Sequence, residues 1–463
     1  MLWVSLDRTS DVPLIRQIYL QLRDRILNGQ LSAGERLPAS REWALHLGVS
    51  RNVIVEAYDQ LIAEGYLETR PGAGTYVAKG ATWKIGTVQT ISSIESTIDE
   101  DWIDFRSGIP ALDQFPQKLW GQLTRQVCTT LSEHTLSYSS AEGLAELRQV
   151  LAQYLWRSRG VQCHPDQIIV TTGATQAFNL IAKLLAKPDR MIAIEDPTAP
   201  ELRSIYSAYS NLYSIPVDEH GLQTNLLPHD QFPCFIHVTP SHQFPMGSVL
   251  TIQRRIALLE YAQATDSYVL EDDYDSEFRY EGTPVSSLQG LAPDRVIYVG
   301  TFSKILAPGL RLGYLILPSA LIDRGRELKR FSDLHTTTID QLTLACFIAD
   351  GHLERHILRM KKLYRQRRNF LRQHMTECFG NEVQILGDST GLHLVAEFTL
   401  VQFTPEVIQQ LNQQRVRVYP ISNYASSARL DQIMLGYGNL SIETIRQGVD
   451  RLNIALNQNG IAE

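Results

Sequence analysis

The chain lacks several things that would have settled its class quickly. No apolar run in its 463 residues approaches the ~20 needed to span a bilayer, so no membrane association is expected. The first ten residues, MLWVSLDRTS, put an acid and an arginine where an export signal needs an unbroken apolar stretch, and the expected location is cytoplasmic. Only five cysteines occur (Cys128, Cys163, Cys234, Cys346 and Cys378), scattered and without a C-x-x-C pair. That spacing argues against a disulfide framework and against a zinc site, and no metal is expected. An excess of positive charge is also missing: 43 Lys and Arg stand against 50 Asp and Glu, a net charge of −7, which excludes polyanion binding through bulk charge. What remains is a globular composition, 44% hydrophobic and 20% charged, in a chain long enough for two or three domains.

Residues 1–80 are neutral, with nine basic and nine acidic side chains, so any DNA affinity there must come from the placement of a few arginines. Leu14, Ile18, Leu22 and Ile26 recur every four residues and predict a first helix, stopped by Asn28-Gly29. Ser40 is placed to cap a second short helix that ends at Gly48, and Ser50 a third, with an inward face of Val53, Ala57, Tyr58 and Leu61 and a stop at Gly65. The segment YLETRPGAGTYVA then alternates around a Pro-Gly-Ala-Gly tip, as a β-hairpin does. Two short helices joined through Gly48-Val49-Ser50 and followed by a hairpin make a winged helix-turn-helix over residues 1–79. The start of its third helix offers Ser50, Arg51 and Asn52 to base edges, while Arg41 and the wing at Gly72 suit the phosphate chain.

Residues 80–101 read as a semi-extended linker rich in Ser, Thr and Ile. From 102 to 463 short β-rich runs alternate with helical stretches, the order of an α/β domain with a largely parallel sheet. From about residue 355 a basic helix and mixed elements indicate a smaller α+β lobe. Four features sit at expected strand ends, where such folds bind ligands. Gly173-Ala174-Thr175-Gln176 is a small-residue turn opening a helix, suited to an anion. Asp272 lies in VLEDDYDSEF, Lys304 follows a strand in GTFSK, and Arg311 comes seven residues later. An amine, a carboxylate for a pyridinium nitrogen, and a nest with an arginine for a phosphate together fit pyridoxal phosphate.

The string LPASREWALHLGVSRNVIVEAYDQLIAEGYLETRPGAGTYV resembles the GntR-family winged-helix signature along its length. The later order of YSSAEGLAELRQVLAQYLWRSRG, TTGATQAF, TPSHQFPMG and GTFSKILAPGLRLGYL resembles the class I aminotransferases over residues 102–455, and the combination resembles the MocR subgroup of regulators. The resemblance implies that Lys304 bonds the cofactor and that Arg311 holds its phosphate, with Ala174, Thr175, Thr301 and Ser303 beside it. Asp272 matches the pyridinium partner, with Asp273 as competitor because the loop is one residue short. Tyr274 matches the tyrosine on the ring oxygen. Tyr138 matches one that reaches the phosphate of the neighbouring subunit, which implies a homodimer.

Three positions depart from the pattern. Ala199 stands where relatives carry an aromatic ring, and Met246 where a small hydroxyl residue is common. Met434 stands where the aminotransferases place the carboxylate-binding arginine; Arg429 is close in sequence but displaced. The expectation is therefore a regulator that binds a double-stranded DNA operator and responds to an amino acid or amine effector, or to the cofactor, with little net amino transfer. A working aminotransferase with an accessory head and a cofactor-free dimerisation scaffold are the rivals.

Overall fold

The computed structural model describes residues 4–81, 101–283 and 285–457. They fall into two compact units, one within Met1–Ile98 and one within Asp99–Glu463. Of the expected linker, residues 82–100 lie outside the described residues.

In the first unit, helices α1 (Leu14–Leu27), α2 (Ser40–Leu47) and α3 (Arg51–Ala63) precede a hairpin of β1 (Leu67–Arg70) and β2 (Gly74–Val77). Ile18, Leu22 and Ile26 of α1 are buried as the four-residue step requires, together with Tyr19. On α3 the buried face is Ile54, Ala57, Tyr58 and Leu61; Val53 is only partly buried, a one-position correction. The capping expectation also needs correction. Ala39, not Ser40, is the N-cap of α2, and Ser40 is its first helical residue. Ser50 does hold the N-cap position of α3, but its hydroxyl makes no cap hydrogen bond, which leaves that group uncommitted. Gly48 closes α2 at φ +63°, and Arg8 donates to its carbonyl at 2.7 Å, a cation satisfying a helix C-terminus.

The second unit is built on an eight-stranded sheet. Its strands are β4 (Ile168–Thr171), β5 (Ile192–Asp196), β6 (Leu212–Asp218), β7 (Gly221–Leu222), β8 (Phe235–Val238), β9 (Tyr268–Asp273), β10 (Val296–Thr301) and β11 (Gly313–Ile316). They lie in the order β4-β11-β10-β9-β8-β5-β6-β7. The run β10-β9-β8-β5-β6 is parallel, while β11 is antiparallel to both β10 and β4 and the edge strand β7 to β6, so the largely parallel expectation holds with one reversed strand inside the sheet and one at its edge. Strands such as IIVT and VIYVGT are buried end to end, as sheets covered on both faces require.

The smaller lobe is packed on the long helix His352–Phe379 and carries a four-stranded antiparallel sheet, in sequence terms Val383–Leu386, His393–Phe398, Tyr419–Pro420 and Gln432–Gly436. It is not purely C-terminal. The strand β3 (Ile103–Asp104) pairs in parallel with Val416–Arg417, and Ile103 and Phe105 sit in this lobe's core. Reading the chain in order could not assign that strand to a lobe that begins 250 residues later. Among the described residues no helix is long and apolar enough to cross a membrane.

Candidate functional site

On the first unit Arg41, Ser50, Arg51, Asn52 and Gly72 are all exposed. Arg51 Nε donates to Ser40 Oγ at 3.3 Å, so the first turns of α2 and α3 are bridged by the residue expected to enter the groove. Gly72 lies at the wing tip with φ +72°, a conformation that costs other residues but not glycine. Beside it Arg70 is tied to Glu68 at 2.7 Å and lies over the Tyr76 ring, its guanidinium carbon 4.3 Å from the ring centroid.

In the second unit a cavity of about 630 Å³ opens at the strand ends. It is lined by Ala174, Thr175, Asp272, Tyr274, Thr301, Ser303, Lys304 and Arg311, so eight of the expected cofactor residues meet there. Thr301 ends β10, and its Oγ1 accepts the Ser303 N–H at 3.2 Å, shaping the turn that presents Lys304. Lys304 Nζ donates to the Gly108 carbonyl at 2.7 Å. Burial pushes this amine below its ordinary value of 10.5, against the opposing pull of Asp275 and Asp272.

The helix that starts at Ala174 has Gly173 as its N-cap, with φ +95° and no side-chain cap, so its first N–H groups face the cavity end of the sheet. A Cβ on Gly173 would lie 2.7 Å from Arg311 Nη2, and Arg311 itself donates to the Thr172 carbonyl at 2.6 Å. The glycine is what lets the guanidinium lie against the turn.

The acidic run is resolved by the pleat of β9. Glu271 is buried and accepts the N–H groups of Leu288 and Gln289 at 3.0 and 2.9 Å. Asp273 pairs with Arg159 at 2.7 Å, both side chains almost wholly buried, and also accepts from Tyr298. Burial works against the Arg159 charge, but Asp273, Tyr298 and Glu271 outweigh it and its pKa is raised. Asp272 points the other way, into the cavity, with His237 Nε2 at 3.7 Å. His237 is in turn held by Tyr206, whose hydroxyl is 2.9 Å from Nδ1. Of the two candidate carboxylates, Asp272 alone lines the cavity.

Tyr274 donates to the His242 carbonyl at 3.0 Å, and burial, then the charges of Asp275 and Asp272, push its hydroxyl well above 10. His242 Nδ1 lies 2.9 Å from Asp275, whose carboxyl is raised by its own burial. His393 also lines the cavity, and its Nε2 lies 3.0 Å from the Pro245 carbonyl; burial, then His242, push it down to about 3, so it is neutral. The sequence reading missed His237, His242, Asp275 and His393. Two of them, His242 and Asp275, lie inside TPSHQFPMG and VLEDDYDSEF, but the signal there was position on a strand end, not residue type.

Two expected residues are elsewhere. Tyr138 is 83% exposed and lies with Phe331 and Leu334 in a separate groove, its ring edge against His335. Arg429 lies in another groove with Met246, its Nη1 3.9 Å from the Met246 sulfur, and does not line the Lys304 cavity. Ala199 does line the cavity, and Met434 is buried with Val395 and Ile421 in an apolar cluster joined by Phe244, Tyr419 and Tyr424. All five cysteines are free thiols.

A lysine on a strand-end turn facing a carboxylate, with a glycine-hinged helix start and an arginine beyond, defines the aminotransferase class of fold. The family model "Aminotransferase class I and II" matches residues 100–452, and "Bacterial regulatory proteins, gntR family" matches residues 14–77. The kynurenine aminotransferase of Pyrococcus horikoshii, solved in complex with PMP, superimposes with a TM-score of 0.72 at 25% identity, covering 78% of this chain and 91% of that one. Similarity extends over both units in the uncharacterized HTH-type transcriptional regulator YdeL of Bacillus subtilis, 36% identical over 97% of this chain and 98% of YdeL. The probable rhizopine catabolism regulatory protein MocR of Rhizobium meliloti is 34% identical over 97% and 95%. The chain belongs to the MocR-type, GntR-headed regulators that carry an aminotransferase class I and II domain. Pyridoxal phosphate is the cofactor of that domain, and the Gly173–Arg311 cradle, into which no Cβ would fit, suits its phosphate.

Proposed function

We propose that this protein is a cytoplasmic, homodimeric regulator that binds a DNA operator through α3 and the wing and senses an amine at the Lys304 cavity. The observation that carries the reading is the convergence of Lys304, Asp272 and Arg311 on one cavity.

In the head, Ser50, Arg51 and Asn52 meet base edges while Arg41 and the Gly72 wing meet the phosphate chain. In the large unit, Lys304 would bond the cofactor, with Asp272 placed for its ring nitrogen and Tyr274 for its ring oxygen. Arg311, Ala174 and Thr175 would hold the phosphate, with Thr301 and Ser303 supplying hydroxyls. When bound, the cofactor would supply an electrophilic carbon at which amines can exchange. The chain's own groups prepare that exchange. Burial keeps a larger share of Lys304 in the neutral, nucleophilic form than an exposed lysine would have, and the Gly108 carbonyl receives its N–H. His237 fixes the Asp272 carboxylate, and Tyr206 fixes His237.

The position of Tyr138, on an exposed patch with Phe331 at 79% and Leu334 at 49% exposure, suits a second copy covering that groove, where Tyr138 would reach the other subunit's phosphate. Net amino transfer requires a fixed ring tilt, which Ala199 does not supply, and the carboxylate position of the related enzymes is here Met434, buried in an apolar cluster. Sensing requires only that the amine favour one arrangement of the dimer over another.

The test is a visible spectrum of the purified protein with a cofactor band removed by borohydride, amines that shift the band and alter operator binding, and no sustained turnover with amino donors and keto acids. Steady turnover on the order of 1 per second with a common amino acid would move the aminotransferase reading to first place.

A further inference from the structure

We infer that Arg106 is the residue that selects the effector, by gripping a carboxylate carried by the amine. The inference rests on the cavity being the amine site. The cavity wall carries three cationic side chains, Lys304, Arg311 and Arg106. The first is directed to the Gly108 carbonyl and the second to the Thr172 carbonyl at the phosphate end. Arg429 is in a different groove and position 434 is a thioether, so neither can neutralise a ligand carboxylate in this cavity. Among the described residues, Arg106 is the one Lys or Arg of the lining left for that task.

Its geometry suits the task. Arg106 stands two residues beyond β3, on the stretch that reaches the Lys304 contact at Gly108. Asp104 accepts the Arg106 backbone N–H at 2.9 Å and the Tyr419 hydroxyl at 2.8 Å, which fixes the turn. The Tyr419 oxygen in turn accepts from Arg106 Nε at 3.2 Å, holding the guanidinium by its inner nitrogen. Nη1 and Nη2 have no acceptor within hydrogen-bond distance among the described residues, and the side chain is 56% exposed. Asp104 does not cancel the charge: it stands 4.0 Å from Arg106 Nε and 3.7 Å from Arg417, one carboxylate between two arginines. An arginine clamped at Nε, lining a cavity and with neither Nη group bonded to the described residues, offers the paired donors that a carboxylate accepts side by side. The ligand class that satisfies both ends of the cavity is an amine carrying a carboxylate, its amine at Lys304 and its carboxylate at Arg106.

The experiment titrates the visible band of the cofactor-loaded full chain with alanine, β-alanine and ethylamine, the last being the carboxylate-free counterpart of both. Melting temperature is followed in parallel. The expected result is that at least one amino acid half-saturates below ethylamine. In Arg106→Gln that preference falls by about tenfold or more, with the ethylamine response unchanged. Arg106→Lys, which keeps the charge without the fork, falls between, and carries the test if the glutamine variant does not fold. Preference that survives Arg106→Gln, that is lost in Arg429→Gln instead, or that is absent from the unaltered protein overturns the assignment. A protein with no cofactor band, or no response to ethylamine either, fails at the cofactor reading and takes this inference down with it.

Discussion

Lys304 Nζ and the Gly108 carbonyl oxygen are 2.7 Å apart, a hydrogen bond across 196 residues of sequence that joins the β10 turn to the stretch following β3. The amine is thus held in place by backbone, at a point where a Cβ on residue 108 would lie 2.6 Å from Nζ. Lys304→Ala is expected to abolish the visible band and leave the fold and effector-free operator binding intact. Mass spectrometry after borohydride reduction should place the pyridoxyl group on Lys304; finding it on another lysine refutes the assignment.

Operator affinity should depend on the start of α3. A good bidentate base contact is worth about 1–3 kcal/mol, so Arg51→Ala is expected to weaken binding at least several-fold and relax sequence preference. Unchanged affinity and preference in a mobility-shift assay would mean that α3 does not read the groove through this residue.

Gly173 has φ +95° and ψ 171°, a region that only glycine enters without strain of about 1–3 kcal/mol. Its Cβ would also crowd Arg311. Gly173→Ala is therefore expected to weaken cofactor affinity by about five- to a hundredfold, measured by equilibrium titration. Equal affinity would show that the helix start is not the phosphate cradle.

Arg159 and Asp273 are buried together on the face of β9 away from the cavity. Arg159→Met leaves an unpaired buried carboxylate and should cost about 3–5 kcal/mol of stability, read by denaturant unfolding. The cofactor band should persist in the folded fraction, since Asp272 faces the other way. Loss of the band at unchanged stability would transfer the ring-nitrogen role to Asp273.

His393 and His356 are both buried, at about 3 and about 4 against an ordinary 6.5. The unfolded chain therefore binds more protons than the folded one below pH 6.5. Stability is full above that value and falls as the pH drops towards 4. His393→Gln should flatten this slope in melting curves taken between pH 6.5 and 4. An unaltered slope would show that His393 does not titrate differently on unfolding.

Much of this was legible in the sequence, and the failures have physical causes. Ile18, Leu22 and Ile26 announced α1 because a single face meets a single core, and continuous apolar runs announced the central strands. Lys304 was found because it follows β10, Asp272 because it stands near the end of the neighbouring parallel strand β9, and Arg311 because it comes seven residues after Lys304. Ser40 was misplaced by one position because a serine before a helix suits either the cap or the first turn. Arg429 misled for a different reason: five residues from Met434, it precedes the strand Gln432–Gly436 and lies against Met246 on another side of the lobe. Arg106, His393 and Asp275 went unnoticed since their meeting depends on elements more than a hundred residues apart, and no local pattern marks them.

The residues just past β3 have a fixed count as well as a fixed place. Ile103 and Asp104 are registered against Val416 and Arg417, the Phe105 carbonyl accepts from Gly436 N at 2.7 Å, and the Phe105 ring occupies the space a Cβ on Gly448 would need. One residue inserted or deleted between Asp104 and Gly108 would slide this part of the chain by about 3.3–3.6 Å, enough to move the Gly108 carbonyl out of reach of Lys304 and exchange the places of Arg106 and Ser107. Substitutions in this stretch are expected to alter single contacts, whereas a single-codon insertion or deletion there is expected to displace Arg106, Ser107 and Gly108 together. Among natural variants of the chain, residues 103–108 should differ in spelling and never in length.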